Sequence, residues 1–336
     1  MAVPNISLPG AINNGMDDLE QFLIVFSGEV QSAFVQATIT GGTHQEKRLD
    51  FGKSAQFPGH GRATARPLPR GVNLLTDNAG TSVFNVSEAL VAVDRPYVAD
   101  TFVDKHDDDM NHWETRQRYA DELGQSIARY RDYLAFRAIL RAGRTASPSN
   151  LIPTDLGDAL GAGGYVGSLP VVGTRTPAEL LEALIGAAQI FDEKSVPRDG
   201  RRIAPVRPSD YWLLVRNTDL LNRDYGNEGN GVYADGEVMR AAGLQLRMTN
   251  LLPTDNLTTN PDGLVNTYTG DATELVSPVY WWDAIGSVIR MDPDVETEYK
   301  MEVGGYPIIA KMSGGTAPVR PASVVEIGEN ASQPAL

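Results

Sequence analysis

The chain has 336 residues, enough to bury a sizeable core in one or two lobes. Its formal net charge of −14 excludes a surface built mainly to grip nucleic-acid phosphates, which takes a basic patch and counterion release. With no cysteine it has neither a disulfide framework nor a thiolate metal site, and 33 glycines with 21 prolines favour loops, bends and extended arms over a helical bundle.

The start, Met1 to Asn5, lacks the basic-then-apolar pattern of a signal peptide, and the best apolar run, Phe22 to Phe26, is far too short for a membrane span. A soluble protein made in the cytoplasm is expected. Residues 1–17 carry Pro4, Pro9, Gly10 and Gly15 with little periodicity and read as an extended arm. Leu19, Phe22, Leu23, Phe26, Val30, Ala33 and Phe34 then recur at helical spacing, predicting a short amphipathic helix over 18–37 whose face needs a partner.

From His44 to Val93 two β-rich limbs flank a middle broken by Pro58, Gly59, Gly61, Pro67, Pro69 and Gly71. So long a stretch with so few large apolar side chains cannot build a core of its own, so it is expected to reach out and bind something. It is also an electrostatic exception. Between His44 and Val72 six basic residues, Lys47, Arg48, Lys53, Arg62, Arg66 and Arg70, face two acidic ones, Glu46 and Asp50, a local net of +4.

Residues 107–142 form the longest uninterrupted helical pattern. Trp113, Ala120, Leu123, Ile127, Tyr130, Leu134 and Ala138 put one apolar stripe on one face, leaving charge on the other. Asp107, Asp108 and Asp109 supply an N-cap and negative charge against the positive end of the helix dipole, and Gly143 with Pro148 makes a stop. Such a helix runs roughly 50 Å. Residues 143–174, rich in Gly, Ser, Pro and Thr, mark a boundary. Pro177 then starts a second helix through Phe191, Asp210 to Val215 reads as a buried strand or helix edge, and residues 222–236 form a Gly/Asn loop. Met239 to Met248 reads as a turn into a strand, Leu252 to Asp271 as another polar loop, and Pro278 to Val288 as a strongly apolar segment containing Trp281 and Trp282. Two alternating strands, Val295 to Val303 and Tyr306 to Met312, are punctuated by Gly304 and Gly305.

Several of these segments resemble the major capsid proteins of T-seven-like short-tailed bacteriophages. The block from Glu88 to His112 is similar without gaps: an alternating strand, Asp94, an apolar-Ala-Asp stretch, an acidic run and Met110-Asn111-His112 leading into the long helix. Gly52 to Pro58 followed by Gly61 and Arg62 looks like that family's extended loop. Val196-Pro197, Pro208 to Tyr211, Gly243, Ile308 to Lys311, Gly314-Gly315 and Arg320-Pro321-Ala322 continue the likeness, so that it covers about residues 20 to 328. The chain departs from the family's Leu-Arg-Pro-Glu-Ala ending, having Val319-Arg320-Pro321-Ala322-Ser323 instead.

The resemblance implies an α+β chain with the Hong Kong 97-type capsid fold. It implies an N-terminal arm over 1–43 and an extended β-hairpin loop over 44–95. A peripheral domain with the spine helix would span 96–150 and 286–313, and an axial α/β domain 151–285 and 314–336. It further implies self-assembly as hexamers and pentamers into an icosahedral virion shell around double-stranded DNA, with scaffolding protein and portal as partners, no membrane, no cofactor and no enzymatic activity. Subunit-interface positions are then expected at Lys53, Phe57, Arg62, Arg66 and Arg70 on the loop and at Asp107, Asp108, Asp109 and Trp113 on the helix start. The residues alone independently support a long amphipathic helix, arms too poor in core residues to stand alone, and no catalytic set.

Two other readings stay open at this point. An encapsulin-type compartment shares the fold. A metal-dependent hydrolase would use His106, Asp109 and His112, where imidazole and carboxylate could share a helix face and hold a transition metal. Clustered Asp at a helix N-terminus, however, stabilises the dipole without any ion, and no metal site is expected. Gly226 to Gly231 is glycine-rich but lacks the Gly-Lys-Ser/Thr ending of a phosphate loop. Only four histidines are present, which leaves little material for a Ser-His-Asp arrangement.

Overall fold

The computed structural model describes residues 12–13, 16–17, 28–35, 37–60, 70, 86–104, 114–145, 162–216, 240–298, 300–302 and 304–334. In chain order these hold strands β1 (Ile12–Asn13) and β2 (Met16–Asp17), helix α1 (28–35), β3 (Gln45–Arg48), β4 (Ser54–His60), β5 (Val86–Ala92) and β6 (Tyr97–Asp104). The long helix α2 (Glu114–Arg144) follows, then β7 (Gly164–Val166), α3 (Pro177–Glu193), β8 (Arg202–Val206) and α4 (Pro208–Val215). The remainder is strand: β9 (Arg240–Ala241), β10 (Leu244–Met248), β11 (Asn256–Leu257), β12 (Gly270–Asp271), β13 (Leu275–Trp281), β14 (Ile285–Thr297), β15 (Gly305–Pro318) and β16 (Val324–Gly328).

Two sheets lie over α2. One has four strands in the order β3-β14-β15-β6, the other six in the order β7-β16-β13-β8-β10-β9, and β4 and β5 make a separate antiparallel hairpin. The N-terminal half of α2 buries Ala120, Leu123, Ile127 and Ala128 against Val295, Ile308, Ala310 and Met312 of the four-stranded sheet, with Val30 and Phe34 of α1 closing the cluster. Its C-terminal half buries Leu134, Ala135, Phe136, Ala138, Ile139 and Ala142 against Ile203, Tyr280 and Val324 of the six-stranded sheet. One helix thus carries both cores, over 31 residues and about 46 Å at 1.5 Å per residue. A third core, between α3, α4 and the six-stranded sheet, takes in Leu180, Leu184, Phe191, Val206, Leu214 and Val325. Thr176 starts α3 through a reciprocal capping box with Glu179, and Pro177 sits where a missing N–H costs nothing.

Several expectations need correction. The far face of α2 is not simply charged and solvated: Arg131, Asp132 and Arg137 are buried, because each finds partners far along the chain. Arg137 donates to the carbonyls of Gly270 (2.7 Å) and Asp255 (3.0 Å). Tyr130, placed on the apolar stripe, is partly exposed. Residues 210–215 are helical, with Pro208 and Asp210 in the first turn of α4. The segment 278–288 is split by a turn in which the Ala284 amide donates to the Trp281 carbonyl (2.9 Å). The strands expected over 295–303 and 306–312 are the far ends of a much longer ladder, running from Ile285↔Pro318 to Thr297↔Ile308 with register shifts between Ile289 and Met291 and between Met291 and Asp294. Gly304, in the left-handed region at φ +69°, makes its turn. Because β15 runs on to Pro318, a domain boundary at 314 would fall inside a strand. The helix start at 107–113, the loop 222–236 and most of the expected 18–37 helix lie outside the described residues; the described part of that helix packs on its own chain.

Candidate assembly surface

The hairpin is built from paired limbs, as expected. β4 and β5 run from Ser54↔Ala92 at the root to His60↔Val86. Among the described residues the hairpin's core lies at its root, where Ala55, Phe57 and Val91 bury against Val288. Phe57, expected at an interface between copies, is fully buried in its own chain, and the Lys47 ammonium stands 4.3 Å over its ring while donating to the Gln56 carbonyl (2.6 Å). Lys53 and Arg70 are exposed. Arg62, Arg66, Asp107, Asp108, Asp109 and Trp113 lie outside the described residues, as do His106 and His112.

Where β5 ends the backbone is clamped. The Asn266 side chain accepts from the Ala92 amide (3.1 Å) and donates to the Ala92 carbonyl (2.7 Å), replacing a neighbouring strand. Asn266 is itself held by Asp94, which is 2% exposed. One oxygen of that carboxylate accepts from the amides of Val265 (2.7 Å) and Asn266 (2.9 Å), the other from the hydroxyls of Tyr268 (2.7 Å) and Tyr97 (3.4 Å). Burial, with the Asp94 charge adding to it, pushes both tyrosine pKa values up, so both remain donors.

The four-stranded sheet presents its other face to solvent. Cross-strand partners share a face, so the pairs Val98↔Lys311, Asp100↔Ile309 and Phe102↔Pro307 stand together. Asp294 and Glu296 join them across the next ladder. Val98 and Phe102 are exposed, as are Asp100, Asp294 and Glu296, and Lys311 pairs with Glu296. This face is therefore acidic with apolar inserts, opposite in sign to the hairpin.

Polar groups inside the body are consumed by structure. His44 bonds Ser287 (2.6 Å) through Nε2, and burial, with the Arg131 charge adding to it, lowers its pKa to about 3, so the ring is neutral. Asp132 accepts from the Ile39 amide (2.7 Å), and its burial raises its pKa despite that bond. Among the described residues no group of three or more His, Asp or Glu side chains is placed to hold a metal. The Trp281 indole donates to Asp199 (2.9 Å) and the Arg201 guanidinium sits 5.2 Å over the Trp282 ring, so both rings are taken up within the chain. Sequence reasoning missed Asn266 and the role of Asp94. The only local sign was an Asp followed by Arg-Pro at the end of an apolar strand; the partner lies 172 positions away.

A long helix under two sheets, with a β-hairpin projecting from one edge of the body, is the architecture of Hong Kong 97-type capsid proteins. The comparisons agree in fold and in sequence. The capsid structure of the cyanophage P-SCSP1u superposes with a TM-score of 0.74 at 30% identity, over 96% of this chain and 98% of that one. The mature capsid of bacteriophage PhiM1, at 17% identity and a TM-score of 0.68 over 88% of each chain, shares the fold. The major capsid protein of Escherichia phage T7 is 38% identical over 112 residues, 33% of this chain; the match spans about a third of that relative, 32% of its length. The Gp10A-like major capsid protein family matches residues 56–328, and the chain belongs to it. It is a family of structural capsid proteins, not of enzymes.

Proposed function

We propose that the chain is the shell subunit of a phage virion, assembling as hexamers and pentamers into an icosahedral container for double-stranded DNA. Scaffolding protein and portal are its partners during assembly, and it is made in the host cytoplasm. The observation that carries this reading is the hairpin. A two-stranded ribbon whose described residues have a core at the root is marginal by itself, and it gains burial when it lies on a second copy. In this reading 1–43 is the N-terminal arm and 44–95 the extended loop. The four-stranded sheet with α2 forms the peripheral domain and the six-stranded sheet the axial domain, the chain passing to the latter for the last time after Pro318, where β15 ends, rather than at 314. The negative charge of the whole chain keeps packaged DNA from sticking to the wall.

The basic residues of the hairpin segment, Lys53, Arg62, Arg66 and Arg70, dock on a neighbour at Asp107, Asp108, Asp109 and Trp113, and the sheet face that holds Asp100 and Glu296 carries the same negative sign. Each exposed pair contributes about 0–1 kcal/mol, so orientation comes from many pairs repeated around a ring. Arg62→Glu with Arg66→Glu is expected to reduce the fraction of chain sedimenting as capsomers or shells, and adding Asp107→Lys with Asp108→Lys to restore part of it. Unchanged sedimentation in the double hairpin variant would refute the docking.

A further inference from the structure

The two legs that join the hairpin to the body are built differently. On the β5 side the body holds both backbone groups of Ala92 through Asn266, the Asp94 amide through the Gly314 carbonyl (2.9 Å) and the Asp94 carbonyl through the Ser313 hydroxyl (3.2 Å), while the Val93 amide donates across to the Lys53 carbonyl (2.8 Å) of the other leg. Gly315 makes room for this contact. A Cβ there would fall 2.1 Å from the Ala92 oxygen and 2.6 Å from the Asn266 amide nitrogen. Asp94, with two backbone amides on one oxygen and two tyrosine hydroxyls on the other, leaves the clamp little freedom to shift. Tyr268 ties it onward by accepting from the Thr316 amide (3.0 Å) on β15.

The β3 side has nothing comparable. After the Leu49 amide donates to Ile289 (3.0 Å), the chain crosses Asp50, Phe51, Gly52 and Lys53 fully on the surface, with Phe51 87% exposed and Gly52 at φ +105°, a conformation glycine adopts without strain. Besides the Lys53 carbonyl's bond from the Val93 amide, the body's grip on this stretch comes from exposed Arg290, which reaches the Leu49 carbonyl (2.9 Å) and that of Asp50.

We propose that Asp94 and Asn266 form a mount that sets, within each copy, the angle at which the hairpin leaves the body, while the Phe51–Gly52–Lys53 leg is the compliant side about which residual motion occurs. The mount makes the arm preorganised, so that its direction is settled before a partner is met and less ordering is required on contact. It is a property of one chain and stands apart from the docking surface proposed above. Asp94 and Asn266 are positioning residues in this scheme and touch no partner.

The absence of cysteine makes the test direct. Spin labels at Glu88→Cys on the hairpin and Gln189→Cys on α3, in the full chain diluted into unlabelled copies, report the hairpin angle as a distance distribution. Asn266→Ala and Asn266→Asp are expected to widen that distribution at least twofold and to speed hydrogen exchange of the Ala92 and Val93 amides tenfold or more, with the amides of 134–142 in α2 unchanged. Tyr268→Phe, which keeps the ring, should widen it less, and Phe51→Ser should leave it as in the parent. An unchanged width in both Asn266 variants, or an exchange increase spread evenly through α2, would overturn the proposal. Should Asn266 variants fail to fold, an unchanged width in Tyr268→Phe overturns it alone.

Discussion

Glu326 is 1% exposed and pairs with Arg144, 2% exposed, at 2.5 Å, with a second contact of 3.0 Å from Nε. Removing one partner of such a pair leaves a desolvated charge, so Glu326→Gln is expected to cost about 3–5 kcal/mol in chemical denaturation, and a loss under about 1 kcal/mol would show that the pair is not buried in solution. His44 makes a pH prediction. Its folded pKa of about 3 lies below the ordinary 6.5, so the unfolded chain takes up a proton that the folded chain refuses. The stabilising term is complete above pH 6.5 and is lost as pH falls toward 3, at about 1.4 kcal/mol per unit. Arg131 and Glu46, the charged groups facing the ring, are both retained in His44→Gln, which should flatten the stability curve between about pH 4 and 6 relative to the parent. Equal slopes would mean that the imidazole is hydrated. Neither residue's fate was legible in the sequence. Glu326 and Arg144 are 182 positions apart, and a lone His ahead of a polar strand carries no mark of burial.

Between the two helices α1 and α2, the backbones come close at Gly124 of α2. A Cβ there would meet the Val30 carbonyl at 2.5 Å and the Ala33 Cβ at 2.9 Å, so α1 lies directly on the backbone of α2. Gly124→Ala gains about 1 kcal/mol of intrinsic helix propensity but forces the two helices apart. A net loss of about 1–3 kcal/mol is expected, seen as a lower thermal midpoint, and a raised midpoint would mean that α1 does not pack there. Phe57→Ala, which empties the core at the hairpin root, is expected to cost about 3–5 kcal/mol. Periodicity made α2 and α3 legible from sequence, because a stripe repeated over many turns outweighs local noise. It failed at α4, where eight residues are too few to separate a helix from a buried strand, and at β16, an apolar run too short to stand out. The C-terminal half of α2 misled for another reason: arginines read as solvated were neutralised by carbonyls and carboxylates that only the tertiary fold supplies.

For the whole molecule, the extended hairpin and the α+β architecture were legible because the chain violates what a self-sufficient domain needs, a long weakly apolar stretch with charge opposite to the rest. In the proposed reading that violation has a reason: other copies supply the missing burial. What the sequence could not mark was how the arm is held, since Asp94 and Asn266 meet only through the fold. The most direct test of this account is electron microscopy of the purified full chain, alone and with a scaffolding protein. Closed icosahedral shells showing hexameric and pentameric capsomers are predicted, and a monodisperse monomer across all salt, concentration and scaffold conditions would contradict it.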